Sequence, residues 1–387
     1  MRWLPEVRNL ELDLSADQEL LRETAARFIA DACPLSTVRQ MIGAESDLPA
    51  DYFKTAGPLG WFSMLVPEEL GGGSVSGAGL RDVAIVAEER GRVLQPGPFA
   101  GMNIAAATLA AAGSTAHRTD IVPALCDGRA IATWVPGDGA QGTGDRDRIV
   151  ATPRAGGVSL SGRVRPVQGG AQADWLLVSA GGAPRSGGGQ SQFVIHTATP
   201  GVTVTPLAGL DVTQRYAAIS FADVVVLDTA AVGALGGAEA DIERQLQLAC
   251  VLTTVETVGA MDALFDITRS YAIDRIAFGR PIGSFQAVKH QLADMSLALE
   301  ASKAIAAAAV GAVQERTEDA GQIVSMAKSW VADTGVDLAQ GCAQVFAGIG
   351  FTWEHDLHLY LRRITMNGLL FGQSDWHRER ICRLSLV

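Results

Sequence analysis

The sequence predicts an α+β multidomain protein with a helical domain over residues 1–125, a β-barrel over 126–232 and a four-helix bundle over 233–387. Three observations lead there. A chain of 387 residues exceeds what one small core organises. Apolar residues recur at three- and four-residue spacing in its first and last parts, the period of an amphipathic helix. The middle part breaks instead into short β-rich runs separated by Gly, Pro and Ser.

The first helix begins near Ser15, where Ser15 or Asp17 can cap the opening turn and Leu20, Leu21, Ala25, Phe28 and Ile29 mark one face. "GPLGWFSMLVPEELGGGS" reads as a loop, "GLRDVAIVAEERGRVL" as the next helix, and the small-residue stretch 101–112 continues in the same character. The barrel strands are "RIVATPR", "GVSLSG", "DWLLVSA", "SQFVIHT", "GVTVTPL" and "YAAISFADVVVL", and many short strands at near-regular spacing suit a barrel or sandwich. The glycines of "GGAPRSGGGQS" make a solvent loop rather than a phosphate cradle, because no strand-to-helix switch follows. Four long amphipathic helices come last, over roughly 241–274, 284–315, 319–347 and 355–370, and their short connections predict an up-and-down bundle.

Composition narrows the function. Hydrophobic residues make up 48% and charged residues 19%, as in a folded chain with a large core. A net charge of −11 argues against nucleic acid, because phosphate binding wants a concentrated positive field. Cys33, Cys126, Cys250, Cys342 and Cys382 are odd in number and widely spaced, which predicts no disulfide framework and a reducing, cytoplasmic compartment. The start "MRWLPEVRNLELDLS" lacks the apolar core of a secretory signal, and no uninterrupted apolar run predicts a membrane span.

Several motifs are weak. In "EHDLH", His355 and His358 share a helix face, but without H-E-x-x-H spacing or a third His the stretch reads as a polar helix start, and no metal is expected. "GDGAQGTG" has spaced glycines with no helical period after them. No G-x-S-x-G and no P-loop occurs, so neither acyl-enzyme chemistry nor nucleotide hydrolysis has support.

"RIAFGRPIGSFQ", residues 275–286, is different. Pro281 must end a helix, Gly279 and Gly283 permit a reversal, and Phe285 restarts an apolar stripe through Val288, Leu292 and Met295. A helix hairpin explains the Gly and Pro, but not an Arg and a Gln at the two lips.

The stretch from Tyr271 to Met295 resembles the C-terminal signature of the acyl-CoA dehydrogenase family, in which an Arg, an aromatic and a Gln flank a Phe-Gly-x-Pro-Ile turn. The second family motif, Gln-x-x-Gly-Gly-x-Gly followed by Phe-Thr, is matched by "QVFAGIGFTWEH" through Gln344, Gly348 and Gly350, with Ala347 replacing one Gly. The order of helical domain, barrel and bundle is also the family's. The resemblance implies FAD, with Arg275, Phe278, Gln286, Gln344 and Gly348 as contacts to a cofactor shared across a subunit boundary. It implies a dimer or tetramer, either of this chain or with a second subunit of the family. It further implies α,β-desaturation of an acyl-CoA thioester, with a carboxylate base and electrons passed to an electron-transfer flavoprotein.

The base is where the sequence departs. In most members it is the Glu of a Tyr-Glu-Gly-Thr element, and the matching stretch here is "LLFGQSDWH", with Gly372 at that position. Other members place it about twenty-six residues before the turn Arg, which lands here on Ala249. Glu256, seven residues on, is the remaining catalytic candidate, with structural packing the favoured role. The family's flavin-side elements are also altered: its Thr-Glu-Pro segment matches "ATWVPGDG" loosely through Thr133 and Pro136, and Pro166 in "RVRPVQGG" takes an aromatic or apolar place. These losses resemble actinobacterial steroid-degrading acyl-CoA dehydrogenases built from two unlike subunits. The chain is therefore expected to be such a subunit, the base-lacking partner or a divergent catalytic one. The alternatives are a self-sufficient homomeric dehydrogenase using Glu256 and a non-catalytic acyl-CoA-binding scaffold.

Overall fold

A computed structural model describes residues 14–44, 48–49, 51–137, 148–182 and 189–385. The N-terminal part holds helices α1 (Ala16–Ala32), α2 (Leu35–Gln40), α3 (Tyr52–Ala56), α4 (Gly79–Arg92), α5 (Phe99–Ala112) and α6 (Val122–Cys126). α1 opens on a reciprocal cap in which the Ser15 hydroxyl accepts from the Gln18 amide and the Gln18 side chain accepts from the Ser15 amide. α5 is apolar and small all round and is buried along almost its whole length, so it runs through the interior.

Eight strands follow: β1 (Ala132–Val135), β2 (Ile149–Arg154), β3 (Gly157–Gln168), β4 (Trp175–Gly182), β5 (Gln190–His196), β6 (Val202–Leu207), β7 (Tyr216–Leu227) and β8 (Ala231–Val232). They form one mixed sheet in the order β6-β7-β3-β2-β4-β5-β8, with β1 parallel to β4. Its inward residues, among them Leu160, Val164, Val178, Phe193, Ile219 and Phe221, close a core of its own. All six strands expected from the sequence are present. β1 and β8 are additional, being too short to show a period of two. Most of "GDGAQGTG" and "GGAPRSGGGQS" lies outside the described residues.

The bundle consists of α7 (Glu239–Asp274), α8 (Gln286–Glu315), α9 (Ala320–Phe346) and α10 (Leu357–Leu369), close to the expected spans. A further helix, α11 (Ser374–Ser385), packs on α9 and is additional to those expected, because it buries little beyond His377 and Arg380. α7 and α8 are each long and apolar enough to cross a bilayer, yet α7 is mostly buried inside the protein and packs on α4, α8 and α9. α4 and α7 touch backbone to backbone. A Cβ on Gly91 would meet the Glu256 carbonyl at 2.0 Å, and one on Gly259 the Glu88 carbonyl at 2.1 Å.

Arg363 on α10 binds the parts together. Its fully buried guanidinium donates to Asp211 and Thr213 after β6, to the Leu94 and Gln95 carbonyls after α4, and to Glu256 on α7 at 2.8 Å. Burial opposes its charge, but Asp211 and Glu256 outweigh that and hold it protonated above the usual arginine value.

Candidate functional site

The turn after α7 is a miniature hairpin. Two-residue strands β9 (Ile276–Ala277) and β10 (Arg280–Pro281) pair antiparallel, leaving Phe278 and Gly279 as the loop. Both adopt positive φ, 52° and 78°, the combination a type I′ loop requires. Gly279 takes this freely, whereas a bulky aromatic is strained there. Phe278 is also 95% exposed. Arg280 lies over the Phe285 ring at 4.0 Å, and Phe285 meets Phe278 edge-on at 6.1 Å, so the tip is braced from below. Arg275 leaves α7 in extended backbone and Gln286 is the first residue of α8, which puts both exposed side chains on the lips of the hairpin.

Gln344 and Gly348 stand at the end of α9, where Ala347 at φ 53° stops the helix. Gly348 has open space around it, and Gln344 is exposed. Tyr271 stacks on Phe346 at 4.3 Å and Phe346 contacts His355 at 4.4 Å, which ties the ends of α7 and α9 together. All five residues expected to contact the cofactor therefore sit exposed at one end of the bundle. Large apolar side chains are exposed there too, including Ile276 (57%), Phe351 (76%) and Trp353 (53%).

The interior is closed. Thr133 and Trp134 from β1, Pro136 just after it, Pro166 to Gln168 from β3, Gly101 and Ile104 from α5, and Leu370 and Phe371 after α10 converge on one cleft, uniting the three segments singled out from the sequence. Its remaining cavity is about 10 Å³, scarcely room for a water molecule. The space is taken by Trp134 and Phe371, stacked at 5.8 Å with their planes 20° apart. Trp134 Nε1 donates to Ser179 Oγ at 3.4 Å, which also accepts from Gln192 at 2.9 Å. Gln192 and Gln245 exchange amide hydrogen bonds at 2.6 and 2.9 Å, joining β5 to α7.

Gly372 has φ 102°, and a Cβ there would lie 2.5 Å from the Trp376 ring and 3.0 Å from His377 Nε2. No side chain fits without repacking. Around it lies a buried polar group that sequence patterns did not suggest. His377 Nε2 sits 3.0 Å from the Phe371 carbonyl, Cys250 Sγ donates weakly to the same oxygen at 3.7 Å, and Lys328 Nζ donates to the Asn367 carbonyl. Burial, then the Lys328 charge, pushes His377 down to about 3, and burial pushes Lys328 down to about 8. Burial raises the Cys250 thiol to about 11, so it is no nucleophile.

Glu256 faces Arg363 and lies 3.5 Å from the Asn367 amide. A carboxylate held by a buried guanidinium is committed to that pair, which supports the packing role over the catalytic one. Ala249 is fully buried. In "EHDLH", His355 Nδ1 accepts from the Leu357 amide at 3.1 Å and Asp356 pairs with Arg39 at 2.7 Å.

FAD, the cofactor implied by the resemblance, fits one region and not the other. The exposed end offers a guanidinium, two amides and an aromatic face. The barrel cleft has no space for a ring system.

Models of the acyl-CoA dehydrogenase N-terminal and C-terminal domains match residues 15–129 and 236–386. The chain belongs to the acyl-CoA dehydrogenase family. It is 33% identical over 374 residues to "Acyl-CoA dehydrogenase FadE34" of Mycobacterium tuberculosis, covering 94% of this chain but only 47% of that protein. It is 27% identical to "Acyl-CoA dehydrogenase IpdE2" of Mycolicibacterium smegmatis, covering 96% and 98% of the two chains. Among solved structures it is similar to a single-residue variant of the Tcur3481-Tcur3483 steroid ACAD, with TM-score 0.84, 26% identity and 96% and 98% coverage. The ChsE4–ChsE5 complex from Mycobacterium tuberculosis shares the fold, with TM-score 0.87, 24% identity and 97% and 98% coverage.

Proposed function

We propose that this chain is a base-lacking subunit of a heteromeric, FAD-dependent acyl-CoA dehydrogenase. Arg275, Phe278, Gln286, Gln344 and Gly348 face a flavin at the boundary with a second family subunit, and that subunit supplies the carboxylate that removes the α-proton. The observation that carries this is Gly372: the family's base position has neither a carboxylate nor space for one. When bound, FAD supplies the hydride acceptor. The part of this chain is to hold it, and a guanidinium at Arg275 suits pyrophosphate oxygens through paired charge-assisted hydrogen bonds.

A steroid-derived acyl-CoA is the substrate class favoured by the likeness to the steroid dehydrogenase complex. An electron-transfer flavoprotein as acceptor and a cytoplasmic location belong to the same proposal.

The test is co-expression with acyl-CoA dehydrogenase-like subunits encoded near it. The complex is expected to be yellow and to oxidise an acyl-CoA with an artificial electron acceptor, while the chain alone does not. Turnover by the purified chain alone, abolished by Glu256→Gln, would establish the homomeric alternative. Colourless protein with every partner, still binding CoA thioesters, would favour the scaffold.

A further inference from the structure

The hairpin after α7 carries a second guanidinium, Arg280, at the variable position of the Phe-Gly-x-Pro-Ile turn, where the family motif prescribes no residue. The two arginines are differently engaged. Arg275 is exposed, and its side chain makes no hydrogen bond or ion pair among the described residues. Arg280 is exposed as well, but its Cζ stands 4.0 Å from the centre of the Phe285 ring, well inside the roughly 6 Å reach of a cation–π contact. The short ladder that makes the turn also places this arginine, since Arg280 pairs with Ala277, the residue before Phe278.

Phe278 needs outside support. Its φ of 52° is strained for an aromatic, its side chain is 95% exposed, and a strained conformation persists only where its surroundings over-determine it. The backbone of the turn is fixed by the β9–β10 pairing, by the Ile282 amide donating to the Arg275 carbonyl at 2.8 Å, and by Ser284 Oγ donating to the Pro281 carbonyl at 2.7 Å. None of these bonds reaches the Phe278 ring. Phe285 does, edge-on at 6.1 Å with the planes 83° apart. Phe285 is itself held at the N-cap of α8, half-buried, with Arg280 across its face.

We infer that Arg280 is a positioning residue of the cofactor face: it clamps Phe285, Phe285 holds the Phe278 ring in one pose before flavin arrives, and Arg280 is not itself a phosphate ligand. This rests on the proposed role of the turn in holding flavin. It divides the work of the two arginines, charge pairing at Arg275 and preorganisation at Arg280. A ring already held in place loses less freedom on binding than a free one, so the clamp is read as flavin affinity.

The experiment is a double-mutant cycle on the FAD dissociation constant of the purified heteromeric complex. Arg280→Met keeps an unbranched stem over Phe285 and removes the charge. It is expected to weaken FAD binding about two- to fivefold, the size of one exposed cation–π contact, and Arg280→Lys should restore most of that loss. In a Phe278→Ala background the effect of Arg280→Met should vanish, because the arginine acts through that ring. An undiminished effect there would make Arg280 a direct or long-range phosphate partner and overturn the inference, as would wild-type affinity for Arg280→Met alone. Both side chains are exposed, so the unfolding curve of each variant should stay in place; a loss of affinity that came with a shifted curve would mark a merely structural role and overturn it equally. Unchanged flavin affinity of Arg275→Ala removes the proposed function itself, whereas additive effects of Arg280→Met and Phe278→Ala leave that function standing.

Discussion

At the turn end of the bundle, Arg275, Phe278, Gln286, Gln344 and Gly348 stand in solvent, while at the other region, around Gly372, Trp134, Phe371, Cys250, Lys328 and His377 are all buried. The first region spends strain and exposed aromatic surface on display: Phe278 is held at positive φ with 95% of its surface exposed. The second fills its volume and bonds its carbonyls inwardly. An arrangement that displays cofactor-type groups outward and packs its own cleft makes sense when the ligand lies across a boundary. The contrast separates a contribution to a shared site from possession of a complete one.

The contrast can be broken most forcefully at its scaffold. Arg363→Met would leave Asp211 and Glu256 without their partner, and breaking a buried pair costs about 3–5 kcal/mol. Denaturant unfolding should show that loss, and a loss below about 1 kcal/mol would mean the three parts do not depend on this guanidinium.

Acid tests the closed region. His377 has a folded-state value of about 3, below its ordinary 6.5, so the unfolded chain binds the extra proton in that interval. Stability should therefore rise with pH from about 3 to 6.5, by up to about 5 kcal/mol from this group. His377→Gln should flatten that limb in pH-dependent unfolding. Lys328, lowered to about 8, has the same sign in a higher window: stability rises between about pH 8 and 10.5.

Gly372→Glu sharpens the comparison. The new Cβ would press on the Trp376 ring, and overpacking costs roughly 1–3 kcal/mol. The melting temperature should fall and the chain alone should gain no dehydrogenase activity. A stable variant that turned over acyl-CoA by itself would show an open cleft.

Much of this is legible in the sequence because the signals are local. The boundaries of α7 to α10 follow from apolar period, Pro281 and the glycines, and the six strands from alternation between breakers. The lip residues Arg275 and Gln286 stand out because a hairpin has no use for them. The closed cleft is not legible, since Trp134 and Phe371 lie over two hundred residues apart and only tertiary packing stacks them. The same holds for Glu256, whose partner Arg363 is 107 residues away, and for α11, whose mostly exposed surface leaves little periodic signal.

The central claim is that the exposed turn holds flavin across a subunit boundary, and the most direct measurement is the FAD dissociation constant of the heteromeric complex with and without Arg275→Ala. Losing a charge-assisted hydrogen bond worth about 1.5–3 kcal/mol should weaken binding roughly ten- to a hundredfold. Because Arg275 is exposed, the unfolding curve should stay where it was. Unchanged flavin affinity would reduce the turn to a helix hairpin and contradict the account.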